Sequence, residues 1–219
     1  MGESKDVTQG EFKLGQPVLV CRWRLAGTSL PMANRHMHAL GERQIRGSNL
    51  SPQLLAWVKQ HIEWTLKEGA AQYPNGVLMT IVDKQGQAAM SVGPFVDLED
   101  KDSKSLIQRS QMAQREAEQT GVAPEVLWAL EEDTLIMGAG PHKAVSAASS
   151  LIEDLAQTIG MSVIRDDALA ERVVSKPSLF DELFLVSDEF GVVPAEDMSG
   201  ERGKKFLQGY ERLLQKEAR

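Results

Sequence analysis

"DELFLVSDEFGVVPA", residues 181–195, carries two apolar runs on either side of a polar middle. Leu183 to Val186 and Val192 to Val193 flank Ser187, Asp188 and Glu189, while Gly191 supplies turn chemistry. The stretch reads as an apolar strand carrying a turn. Working back from it, "ALAERVV" (168–174) is a short helix and "MSVIRDD" (161–167) a short strand. "HKAVSAASSLIEDLAQTIG" (142–160) reads as a helix closed by Gly160, with Val145, Leu151, Ile152, Leu155 and Ile159 as its buried side. "EVLWALEEDTLIMGAG" (125–140) is a hairpin running into a Gly-rich turn, and Ser105 to Gln119 a helix stopped by Gly121.

The N-terminal half repeats this mixture. "PVLVCRWRL" (17–25) reads as a strand. "SPQLLAWVKQHIEWTLKEG" (51–69) is a helix with Ser51 as N-cap, Pro52 in the first turn, and Leu54, Leu55, Val58, Ile62 and Leu66 on one face. Residues 76–93 form a hairpin around Asp83, Lys84 and Gly86, and Lys204 to Lys216 a terminal amphipathic helix. Strands and helices interleaved in both halves predict an α/β chain of mixed α+β character in two lobes. The small N-terminal lobe is expected over 1–95, a linker over the acidic 96–102, and the C-terminal lobe over 103–219.

A formal net charge of −7 argues against a nucleic-acid partner, since phosphate contacts draw on clustered Lys and Arg. No apolar run approaches the ~20 residues of a membrane span. "MGESKDVTQGEF" (1–12) is polar and lacks the apolar core of a signal peptide. Cys21 is the only cysteine, so neither a disulfide framework nor a cysteine metal cluster is expected. A cytoplasmic location fits these features. His36 and His38 share a face only on a strand, whereas "NRHMHALGER" looks helical or looped, so no metal site is expected. "GAGPHK" (138–143) lacks the spacing of a dinucleotide or P-loop motif and reads as a tight turn. Trp57, Ile62 and Trp64 suit either a core or a subunit interface. On its own residues, Lys104 is a solvated lysine in a charged stretch beside Asp100, Lys101 and Asp102.

Taken in order, four segments carry a likeness. They are "DSKSL" (102–106) with "AQREAEQTG" (113–121), the hairpin at 125–140, "LAQTIGMSV" (155–163), and the opening stretch at 181–195. Together they resemble the class IV aminotransferases, pyridoxal-phosphate enzymes that include D-amino-acid and branched-chain aminotransferases and aminodeoxychorismate lyase. The resemblance implies a two-lobed fold, a homodimer, pyridoxal 5'-phosphate as cofactor, and an amino acid or keto acid as substrate. It places Lys104 at the Schiff-base lysine. It also assigns Ser187, Asp188, Met137, Gly138, Ser146, Ala147 and Ala148 to cofactor contacts.

Chemistry supports a lysine in such a place, because an aldimine needs an unprotonated amine and the cofactor then acts as electron sink. The motif residues differ from the family's pattern. Met137 stands where a glutamate pairs the pyridine nitrogen, and Asp188 and Glu189 bring negative charge to the phosphate turn. The phosphate arginine falls at Ala39, with Arg35, Arg43 and Arg46 nearby, and Ser146 to Ser149 replace G-I-T-R. Backbone N–H groups at that helix start can still receive an anion. Two functions follow: a pyridoxal-phosphate-dependent transaminase or lyase with altered or lost catalysis, or a non-catalytic relative acting as a binding or subunit-interaction module.

Overall fold

The computed structural model describes residues 14–218. The polar stretch at 1–12, expected to lack a signal-peptide core, lies outside the described residues. The chain has the mixed α/β architecture expected from the interleaved pattern. Strand β1 (Pro17–Arg24) pairs antiparallel with β4 (Val77–Asp83), which pairs with β5 (Ala88–Gly93). Between β1 and β4 come α1 (Ala33–Gly41), the two-residue strands β2 (Gln44–Ile45) and β3 (Ser48–Asn49), and α2 (Pro52–Thr65). Ser51 caps α2 by accepting from Leu54 N at 3.2 Å, with Pro52 in the first turn. Val58 and Ile62 bury against Leu19, Cys21, Trp23 and Leu78 of the three-stranded sheet. The aromatic stripe of α2 divides: Ile62 is core, while Trp64 is 58% exposed.

The second sheet has the order β10-β9-β6-β7-β8. It contains β6 (Glu125–Glu131), β7 (Thr134–Met137), β8 (Ser162–Arg165), β9 (Glu182–Ser187) and β10 (Gly191–Pro194). The β7–β8 pair alone is parallel, and helix α4 (Ala147–Thr158) makes its crossover. Helices cover both faces. Alternate residues of β6 and β9 explain why these strands read as unbroken apolar runs. Val126, Trp128, Phe184 and Val186 pack with α4 and with α6 (Glu201–Glu217). Leu127, Ala129, Leu183 and Leu185 pack with α3 (Ser103–Thr120) and α5 (Leu169–Ser175).

Two helix starts differ from expectation. Helix α4 begins at Ala147, not near His142, because Val145 bridges to Ala123 in strand fashion and the Ser146 hydroxyl accepts from Ser149 N. Helix α3 begins at Ser103, because Asp102 caps it by accepting from Ser105 N at 3.0 Å and from the Ser105 hydroxyl at 2.8 Å. Its end agrees with expectation: Gly121 adopts φ 83°, and a Cβ there would approach Glu42 O to 2.7 Å. Residues 94–102 have no regular structure but are docked. Leu98 packs on the core beneath α3, and Lys101 O accepts from Glu196 N at 2.9 Å.

Candidate functional site

Strand β1 is an edge of its sheet, and its free side faces α3 and the β9–β10 turn across a cleft of about 530 Å³. The main chain joins the two sides where Arg24 N donates to Asp188 O at 2.9 Å. The walls carry Arg22 and Arg43 on one side, and Arg109, Glu116, Glu125, Asp188 and Glu189 on the other. Most of these charges meet each other. Arg109 grips Glu125 with two hydrogen bonds, Nε to Oε2 at 2.9 Å and a terminal nitrogen to Oε1. Buried Arg43 donates to Thr120 Oγ1 at 3.2 Å and stands 3.6 Å from Glu116. Arg22 lies 3.8 Å from Glu189.

Burial pushes the Glu116 and Glu189 carboxyls above the usual range, and the neighbouring arginines only partly oppose it. Such carboxyls are suited to hold a proton or to meet a cation. Burial likewise pushes up the Cys21 thiol on this wall, which disfavours the thiolate that nucleophilic chemistry needs.

The residues singled out in the sequence do not all gather at this cleft. Ser187 and Asp188 line it. The Ser187 hydroxyl oxygen is engaged by its own turn, accepting from Glu189 N at 3.0 Å and Phe190 N at 3.2 Å. Met137 is wholly buried among Trp128, Ala148 and Phe184. Gly138 leaves the sheet with its N–H on Leu127 O at 2.7 Å, where an added Cβ would crowd that oxygen at 3.0 Å.

Ser146, Ala147 and Ala148 form the buried start of α4. Ala148 N donates to Asp188 Oδ1 at 2.7 Å, across 40 residues of sequence. The second Asp188 oxygen lies 3.4 Å from Nδ1 of His36, which is 1% exposed. Lys104 is exposed on the first turn of α3 and does not line the cleft. At 100° per residue it is turned about 140° from the Arg109–Ala113–Glu116 stripe that does.

Sequence reasoning missed Arg22, Arg109, Glu116 and Glu125 as wall residues. No motif carries them, and the Arg109–Glu125 pair joins a helix to the following strand. His36 and His38 separate on α1, one buried and the other exposed. Among the described residues no group of three or more His, Cys, Asp or Glu gathers as a metal site. No described helix is long and apolar enough to cross a membrane.

No family model matches the sequence, and no curated protein matches it. Solved structures do match in fold. The branched-chain amino acid aminotransferase from Escherichia coli has a TM-score of 0.58 at 12% identity, over 92% of this chain and 86% of that one. The pyridoxal-phosphate-bound form of a hypothetical aminotransferase from Mycobacterium tuberculosis has a TM-score of 0.58 at 10% identity, over 95% of both chains. A fold IV transaminase from Curtobacterium pusillum has a TM-score of 0.54 at 11% identity, over 90% and 84%. The chain therefore has the class IV aminotransferase fold, as the order of its four segments led one to expect.

The Mycobacterium structure holds pyridoxal phosphate, and the residues of this chain do not fit that group. An anion at the start of α4 would meet the Asp188 carboxylate already hydrogen-bonded there. A thioether buried at 137 offers no acid to a pyridine nitrogen. Lys104, the residue the resemblance places at the aldimine, is exposed and does not line the cleft.

Proposed function

We propose that this chain keeps the class IV aminotransferase fold, does without pyridoxal phosphate, and serves as a binding or subunit-interaction module. The cleft between β1 and α3 is its ligand surface. The observation that carries this reading is the direction of Lys104. An aldimine lysine must reach the same cavity as the phosphate contacts, and an exposed first-turn lysine on the far side of α3 does not. The mutual pairing of the wall charges also supports it, since Arg109 is already committed to Glu125 and Arg43 to Thr120. A transaminase needs cations free to receive a substrate carboxylate.

Titration of the purified protein with pyridoxal phosphate, borohydride reduction and peptide mapping test the reading. The expected result is no stoichiometric aldimine band, with reduced label scattered over exposed lysines. A one-to-one visible band with the adduct on Lys104 overturns it and restores a pyridoxal-phosphate transaminase or lyase acting on an amino acid or keto acid.

A further inference from the structure

A 12-residue helix presents unpaired N–H groups and a partial positive charge at its start, which favours an anion there. At α4 the anion belongs to the chain. Asp188 sits in the turn between β9 and β10, 8% exposed, with Oδ1 accepting from Ala148 N at 2.7 Å. A second group converges on the same carboxylate. Nδ1 of His36 is wholly buried and has no hydrogen-bond partner among the described residues, although Asp188 Oδ2 lies 3.4 Å away. His36 is held there by the Trp23 ring, whose centroid lies 5.1 Å from its own. An orphaned buried nitrogen is costly unless something meets it, and the carboxylate meets it only imperfectly. The position therefore suits an oxyanion and is filled by a carboxylate that hydrogen-bonds Ala148 N but leaves His36 Nδ1 without a bond.

We propose that Asp188 is a built-in anion. Its carboxylate closes an oxyanion-binding position formed by the α4 N-terminus and His36, and a chain lacking that carboxylate takes up inorganic phosphate there. The inference deepens the cofactor-free reading and rests on it for the chemistry of the cleft. It accounts for the closure by one side chain, since carboxylate and phosphate compete for the same N–H donor and repel each other.

The test is calorimetric titration of inorganic phosphate, at constant ionic strength, into the wild type, Asp188→Ala and Asp188→Ser. The wild type is expected to show no saturable uptake. Both variants should bind it saturably, at least about tenfold more tightly than the limit the titration sets on the wild type, the size of a favourable helix-terminus contact. Adding His36→Ala to Asp188→Ala should abolish the gain. Equal phosphate response in the wild type and both variants overturns the proposal. If neither variant folds in plain buffer, recovery of the native circular dichroism by phosphate but not by matched chloride supports it, and failure to recover counts against it. Aldimine formation is read separately by absorbance. A wild-type band on Lys104 together with phosphate uptake by Asp188→Ala would sink the cofactor-free reading alone.

Discussion

Helices α3 and α4 start in the same way and end up in different surroundings. Each is capped from its own sequence, α3 by Asp102 and α4 by Ser146. Each also receives a carboxylate from the arm at 182–197. Asp197 accepts from Ser103 N and from the Ser103 hydroxyl, both at 2.7 Å, and Asp188 accepts from Ala148 N. The start of α3 is half-open to water, so its extra carboxylate competes with solvent. The start of α4 is buried, so its carboxylate meets the Ala148 N–H away from competing solvent. The same hydrogen bond therefore matters more at α4. Helix α6 follows the α4 pattern: buried Glu182 accepts from Arg202 N at 3.0 Å and Gly203 N at 2.7 Å.

The comparison ranks substitutions. Glu182→Ala strips two N–H groups of their acceptor and should cost about 3 kcal/mol, read as a lower urea midpoint with unchanged slope. Asp188→Ala removes one such acceptor and isolates His36, for a loss of about 2 kcal/mol in the same measurement. A result below that of an exposed cap would break the buried-versus-open distinction. Asp102→Ala should cost less than either. The Ser105 hydroxyl and N–H hold the Asp102 carboxyl below its usual range. Its contribution is thus present at neutral pH and lost as pH falls through the depressed value. The gap between wild type and Asp102→Ala should then close below about pH 4.

The cleft carboxyls have the opposite sign. Burial raises Glu189, so the folded state prefers its protonated form and loses stability as pH climbs through the raised value. Glu189→Gln should move the unfolding midpoint upward at pH 7, by less than about 1 kcal/mol, and leave it unchanged at pH 4. Lys104→Ala should fall within about 0.5 kcal/mol of wild type and leave the spectrum with added pyridoxal phosphate as it was. A larger change in either would sharpen the case for Lys104 as more than a surface residue.

These rankings depend on contacts of very different visibility in the chain. Local features were legible. The Ser51-Pro52 start of α2, the Gly121 stop of α3 and the hairpins at 76–93 and 125–140 each rest on neighbours a few residues apart, and each is found. The fold was legible from the order of four segments. The start of α4 was not, since "HKAV" looks helical until Val145 meets Ala123. The site was less legible still. Asp188 could be seen as a charge near a phosphate turn, but not as the acceptor for Ala148, because only the packed sheet brings the two together. Nor does any spacing reveal which way Lys104 faces when the first turn of α3 begins two residues early.

The arm at 182–197 has one more consequence. It finishes the first turns of α3, α4 and α6, although α3 and α4 precede it in the chain. On a ribosome both helices would leave the exit tunnel before their distant carboxylates had been synthesised. Their opening amides would wait in water until the arm zips onto β6 and locks them together. Amide exchange at Ser103, Ala148 and Gly203 should then slow as one event, a shared clock for the moment at which this half of the molecule becomes a single cooperative unit.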